Sequence, residues 1–195
     1  MIFDIHVHTS LSPCSVLPME DILVHASGMG LDGVCITDHD TMEAARFLHE
    51  GRQKDGLIVI VGMEYSTPQG QFLIFGPFDG LRPGLSGRKL LETVENAGGA
   101  AVAAHPCRGI RPVDDRLLGL CHAVETFNGG NRHSENIDAC EAAERHGLPG
   151  IGASDAHHLG ALGRVVSESS VDIETRSDLV RVIRSGLLLS TTPCP

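Results

Sequence analysis

The sequence predicts an α/β fold in which seven strand and helix units close into a barrel. Short runs rich in Ile and Val alternate with longer segments of helical period, and nearly every run ends in a polar cluster containing His, Asp or Glu. The chain has 195 residues, the size of one domain, so residues 1–195 are read as a single unit. An open doubly wound sheet would also fit the rhythm, but it gathers its ligand site where only a few strand ends converge. A barrel brings every strand's C-terminal end to one mouth, and six strand ends here carry ionisable residues. The barrel is therefore favoured, with its site at that mouth.

The first strand is Ile2–Val7, where Ile2, Phe3, Ile5 and Val7 supply the apolar positions. Further strands are predicted at 33–37, 57–65, 100–104, 123–127, 149–153 and 165–167, with 72–75 pairing back as a hairpin. Helices are predicted at 18–27, 41–54, 88–97, 134–146 and 177–185. Pro18 suits a helix start and Gly147 lies just past a helix end. The tail 186–195 reads as a packing strand followed by a disordered end.

Lys and Arg number 15 against 25 Asp and Glu, a formal net charge of -10. Gripping an extended phosphate backbone needs a concentrated basic face, so extended nucleic-acid binding is disfavoured. No apolar run is long enough to span a bilayer, and the N-terminus lacks a signal-peptide pattern, which predicts a cytoplasmic protein with no membrane partner. The six Cys contain no C-x-x-C pair, and most are read as small buried apolar residues. Eleven His is a large complement.

In D-I-H-V-H-T a period of two places Asp4, His6 and His8 on one face of the first strand. Two imidazoles then converge, which suits metal binding, with Asp4 placed to orient one ring. Thr37-Asp38-His39-Asp40 follows the second strand. Capping explains one residue of the four, Asp40 or Thr41, but not a His between two carboxylates, so His39 is the ligand candidate. Glu64 ends an apolar run and needs a partner to be buried at all. His105 follows the 100–104 strand, and Glu125 to Asn128 lead into a glycine loop carrying Arg132 and His133. Asp155 and His157, again two residues apart, end the 149–153 strand. Mixed nitrogen and oxygen ligands suit Zn, Mn or Fe. Six His and two carboxylates exceed the ligands of one catalytic ion, which implies two or three divalent metal ions.

The order D-x-H-x-H, T-D-H-D, a strand-end Glu, A-H-P, E-x-x-N and S-D-A-H resembles the polymerase and histidinol phosphatase (PHP) family over nearly the whole chain. The resemblance implies a distorted seven-stranded, TIM-like barrel and hydrolysis of phosphoesters. It also implies that His6, His8, Glu64 and Asp155 hold one metal. Glu64 would bridge to a second metal held by His105 and His133, and His39 and His157 would hold a third. Cys14, in Ser10 to Ser15, sits near the position of a missing ligand for that third ion. His25, His49, His122, His146 and His158 are read as non-ligands.

The expected reaction is attack on phosphorus by a hydroxide held between metals. His39, Asp155 and His157 are the candidate catalytic residues; metal-bound water is a better proton donor to the leaving group than a ligated imidazole. Arg108 and Arg132 follow strand-end motifs and are the candidate substrate-binding cations, ahead of Arg46 and Arg164. A small phosphorylated substrate is the leading reading. A nuclease or phosphodiesterase would need an aromatic or basic track, and Phe, Trp and Tyr make up only 4%. A non-catalytic metal-binding module and a metal-dependent amidohydrolase are the remaining alternatives.

Overall fold

The apolar alternation at the N-terminus builds β1 (Ile2–Val7), and the next segment coils into α1 (Met19–His25). Then follow β2 (Gly33–Ile36), β3 (Gly51–Arg52), β4 (Ile58–Val61), β5 (Met63–Thr67) and β6 (Gly70–Phe75). The second half runs through α2 (Gly87–Asn96), β7 (Ala100–Ala103), α3 (Asp115–Leu118) and β8 (Ala123–Asn128). It ends with α4 (His133–His146), β9 (Gly150–Ala153), β10 (Ser167–Ser169), α5 (Arg176–Arg184) and β11 (Leu188–Ser190). The computed structural model describes residues 1–109 and 112–194. Pro195, the last residue of the predicted tail, lies outside them.

The mixed α/β class is as expected, but one closed seven-stranded barrel is not what forms. Backbone pairing among the described residues divides into a six-stranded sheet, ordered β11-β10-β1-β2-β4-β3, and a five-stranded sheet, ordered β5-β6-β7-β8-β9. The run 57–65, expected as one strand, bends at Gly62 and passes from the first sheet to the second. A Cβ on Gly62 would lie 2.5 Å from Phe75 Cε1 and 2.9 Å from Ile74 O, so only glycine permits this close crossing. The sheets also meet through isolated parallel bridges, Val7 with Ala156 and His39 with Glu64.

The helix expected at 41–54 shrinks to a single 3-10 turn over Glu43–Arg46, followed by the edge strand β3. Tertiary contacts override helical period here. Glu50 accepts the Val61 N–H at 2.7 Å and pairs with Arg176, and Gly51 sits at φ +96°. The predicted tail strand is β11, paired antiparallel with β10. Its expected disordered end is instead anchored, because Cys194 forms a disulfide with Cys140 of α4. These two cysteines thus depart from the reading of cysteines as small apolar fillers, whereas Cys35 and Cys121 are free and buried.

Leu179, Val182 and Ile183 of α5 pack into one apolar cluster with Phe3, Ile5, Ile58, Ile60, Leu73, Phe75 and Ile151. That cluster draws on both sheets and holds them together. Ile22 of α1, Leu90 and Val94 of α2, and Ala142 of α4 join a second cluster around Val34, Val59, Tyr65 and Phe72. No helix of the described residues is long and apolar enough to cross a membrane.

Candidate metal centre

His6 and His8 lie at the C-terminal end of β1, both fully buried. His6 Nδ1 is 2.9 Å from Glu125 Oε1, a carboxylate oxygen that can only accept, so Nδ1 carries the proton. His8 Nδ1 is 3.2 Å from Ser12 Oγ, whose own hydroxyl donates to Asp38 Oδ1 at 2.6 Å. Ser12 therefore accepts from His8, and both rings present an Nε2 lone pair. These two atoms face each other at 3.0 Å. Two lone pairs at that distance repel unless a cation, proton or metal ion, lies with them.

Two carboxylates complete the cluster. Glu64 Oε2 is 3.5 Å from His6 Nε2 and 3.3 Å from His8 Nε2; Asp155 Oδ1 is 3.5 and 3.4 Å from the same atoms. A tetrahedral ion with bonds of about 2.0–2.1 Å spaces its ligands roughly 3.3 Å apart. The His6–His8 edge and the edges from each carboxylate to that pair lie close to this spacing. Burial alone would suppress charge here, yet Asp155, Glu125 and Glu64 raise His6 well above the ordinary imidazole value. In turn, the His6 charge and a hydrogen bond from His8 hold Asp155 well below the usual carboxylate range despite its burial. The pocket is built to hold positive charge among ionised carboxylates.

Two further groups adjoin this one. His105 Nε2 is 2.8 Å from Glu64 Oε1, forming a buried trio with His6, and its Nδ1 is buried without a hydrogen-bond partner among the described residues. His39 Nδ1 lies 2.9 Å from Glu64 Oε2. His157 donates Nδ1–H to the Asp155 carbonyl at 2.9 Å, leaving its Nε2 lone pair open. Together His8, His39 and His157 form a third trio whose donor atoms lie within 4.8 Å of one another. Its outer members are 28% and 30% exposed, so this side of the centre is open to solvent. Three non-glycine residues with positive φ sit at this mouth: Asp40 at +55°, His105 at +30° and Asp155 at +54°. Such backbone costs about 1–3 kcal/mol per residue and persists where the surrounding structure enforces it.

Sequence reasoning thus finds His6, His8, His39, Glu64, His105, Asp155 and His157 in one place. The other candidates lie outside these groups. His133 is exposed at the first turn of α4 and joins none of the three groups, because Glu135 ties that turn to the Arg132 and Gly109 N–H groups. Cys14 is exposed and joins none either. Its loop is pinned instead through Thr9 and Ser12, both of which donate to Asp38. Asp4 orients no imidazole; its carboxylate accepts the backbone N–H groups of Ser154 and Gly163, and burial pushes its pKa up to about 6. Arg132 is exposed, whereas Arg108 donates to Asp155 Oδ2. The residues missed are Glu125, Ser12 and Asp38, which hold the ligands in place. An inward Glu in the middle of β8 was the available signal.

The family model for the PHP domain matches residues 4–104, and a model described as PHP-associated matches residues 133–187. The chain belongs to the PHP family. An uncharacterised protein of Methanocaldococcus jannaschii is 30% identical to this PHP chain over 141 residues, covering 66% of the chain and 82% of the relative. Among solved structures, PsfC from Pseudomonas syringae superposes with a TM-score of 0.76 at 23% identity, covering 92% of this chain and 87% of its own. A two-domain protein of Bacteroides vulgatus containing a predicted PHP-like metal-dependent phosphoesterase gives 0.69 at 18% identity, over 96% of this chain and 62% of that one. The lesion-specific endonuclease Q of Pyrococcus furiosus gives 0.70 at 17% identity, over 97% of this chain and 58% of that one. These three share the fold. The PHP family is one of metal-dependent phosphoesterases, and the three ligand groups supply candidate positions for its metals.

Proposed function

We propose that this PHP chain hydrolyses the phosphomonoester of a small molecule, using two or three divalent ions of Zn, Mn or Fe. The observation that carries the reading is the facing pair of His6 and His8 Nε2 atoms, 3.0 Å apart and flanked by Glu64 and Asp155. Divalent ions bound there supply a water nucleophile at neutral pH and positive charge for the phosphoryl oxygens. His6, His8, Glu64 and Asp155 would hold one ion, His105 with Glu64 a second, and His39 and His157 with His8 a third. Glu125 and Ser12 fix the His6 and His8 tautomers so that both Nε2 lone pairs point inward. His39 and His157, on the open side, lie beside the leaving group. Arg132, exposed and in no ion pair among the described residues, is the cation open to a substrate phosphate.

A small substrate is favoured over an extended strand because the net charge is -10 and several of the cations are engaged. Arg46, Arg52, Lys89, Arg145, Arg176 and Arg184 all pair with carboxylates. A track for several nucleotides would need them free. The likeness to endonuclease Q keeps a diester substrate as the second reading.

The test is phosphate release from a panel of monoesters beside a panel of diesters, on protein stripped of metal and reloaded with Mn, Fe, Zn or Mg. Metal-dependent release from monoesters that collapses in His6→Ala is expected. Turnover on diesters alone moves the chain to the second reading, and tight metal binding with no turnover on either panel sinks the enzyme reading.

A further inference from the structure

Arg108 follows the β7 strand-end motif and has the charge of a phosphate clamp, yet its donors are turned toward the protein. Its Nη2 is 2.8 Å from Asp155 Oδ2 and 2.7 Å from Asn128 Oδ1, and its Nε is 2.8 Å from Asn131 Oδ1. The ideal Cβ of a side chain at Gly130 would lie 3.0 Å from that Nη2, so the guanidinium is also walled in by backbone. Asn128 in turn donates to Glu125 Oε2 at 2.8 Å, and Glu125 Oε1 accepts from His6. One hydrogen-bonded chain therefore runs from Arg108 to the inner ligands.

We propose that Arg108 is a positioning residue: by gripping Asp155 Oδ2 it leaves only Oδ1 to face the His6 and His8 Nε2 pair, making Asp155 a one-oxygen ligand. The inference rests on the metal-centre reading above. A carboxylate has two oxygens and four lone-pair sites, and an ion placed near it can draw in both. A guanidinium held in place by Asn128 and Asn131 and donating through Nη2 to the outer oxygen competes with that, because the charge-assisted hydrogen bond favours keeping Oδ2 on the arginine. Lysine keeps the charge but has no fork, so Arg108→Lys and Arg108→Met separate the two contributions.

The experiment measures Mn and Zn affinity by competition with a chromophoric chelator for the full chain, Arg108→Lys, Arg108→Met and Asn131→Ala, alongside thermal melts. Visible spectra of the Co-loaded proteins are recorded as well. Arg108→Met is expected to lose about 10–100-fold in metal affinity, with Arg108→Lys between it and the parent chain. Asn131→Ala, which frees Nε without touching Asp155, is expected to fall on the same side by a smaller factor. The Co bands should weaken in Arg108→Met as the second Asp155 oxygen enters the coordination sphere. On the best monoester, with metal saturating, kcat falls while KM stays within about twofold. If the parent chain binds no ion, the metal-centre reading itself falls. If the parent binds but all three variants bind equally well, or if KM alone rises, only the positioning role is overturned and Arg108 is a substrate contact.

Discussion

Glu125 Oε1 accepts the Nδ1–H of His6 at 2.9 Å across 119 residues of sequence, with both side chains fully buried. This contact fixes which nitrogen of His6 faces Glu64 and Asp155. The other Glu125 oxygen is occupied too, by the His105 N–H at 2.6 Å. Glu125→Gln keeps the size but removes the charge that supports the imidazole. Metal affinity is expected to fall about 10–100-fold, and the thermal melt of the metal-free protein falls too, because the new amide N–H faces one of the buried donors that the carboxylate accepted. Chelator competition checks it, and parent-like affinity would show that Glu125 is only packing.

Metal binding should strengthen with pH. Burial works against a charged His6, but Asp155, Glu125 and Glu64 hold its proton well above the ordinary imidazole value. An incoming ion must displace that proton. Affinity is therefore expected to fall about tenfold per pH unit on acidification, while one proton is released per ion. Calorimetry in buffers of different ionisation enthalpy reads the proton count directly. A pH-independent affinity with no proton release would contradict the charge balance described here.

Asp4 gives the metal-free protein a second pH dependence of known sign. Burial pushes its pKa up to about 6 from an ordinary value of 3.8. Between those values the folded chain holds a proton that the unfolded chain has released, so stability falls as pH rises. Relative to Asp4→Asn, the parent is expected to lose up to about 3 kcal/mol between about pH 4 and pH 7. Denaturant melts in the presence of a chelator measure the difference at each pH. A gap that widens in the parent's favour as pH rises would reverse the assignment.

The Cys140–Cys194 disulfide closes a loop of 54 residues between α4 and the tail. Constraining the unfolded chain over such a span stabilises by about 2–4 kcal/mol. Reductant is expected to lower the melting temperature of the parent and to leave Cys194→Ser unchanged at the lower value. Neither cysteine belongs to a ligand group, so metal affinity should be the same in both. Equal melts for oxidised parent and Cys194→Ser would show that the bridge contributes no stability.

Much of the centre is legible in the chain itself. The period of two in D-I-H-V-H-T delivers His6 and His8 to one point, and the apolar runs before Glu64, His105 and Asp155 mark them as strand-end residues. Those are local signals, and the strand termini they predict agree with β1, β7 and β9 to within a residue or two. The helix over 41–54 was misread because its pattern is also local, whereas Glu50 answers to Val61 and Arg176.

By itself the sequence determined which ionisable side chains gather at the strand ends, the α/β class and the strands that present them. Tertiary structure decided which nitrogen of each imidazole is free, that Arg108 grips Asp155, and that His133 and Cys14 stay outside the ligand groups. It also decided that the strands divide into two sheets at Gly62. The physical reason is range: backbone geometry repeats every two or 3.6 residues and can be read locally. Hydrogen-bond partners separated by tens of residues are set only when the chain closes on itself.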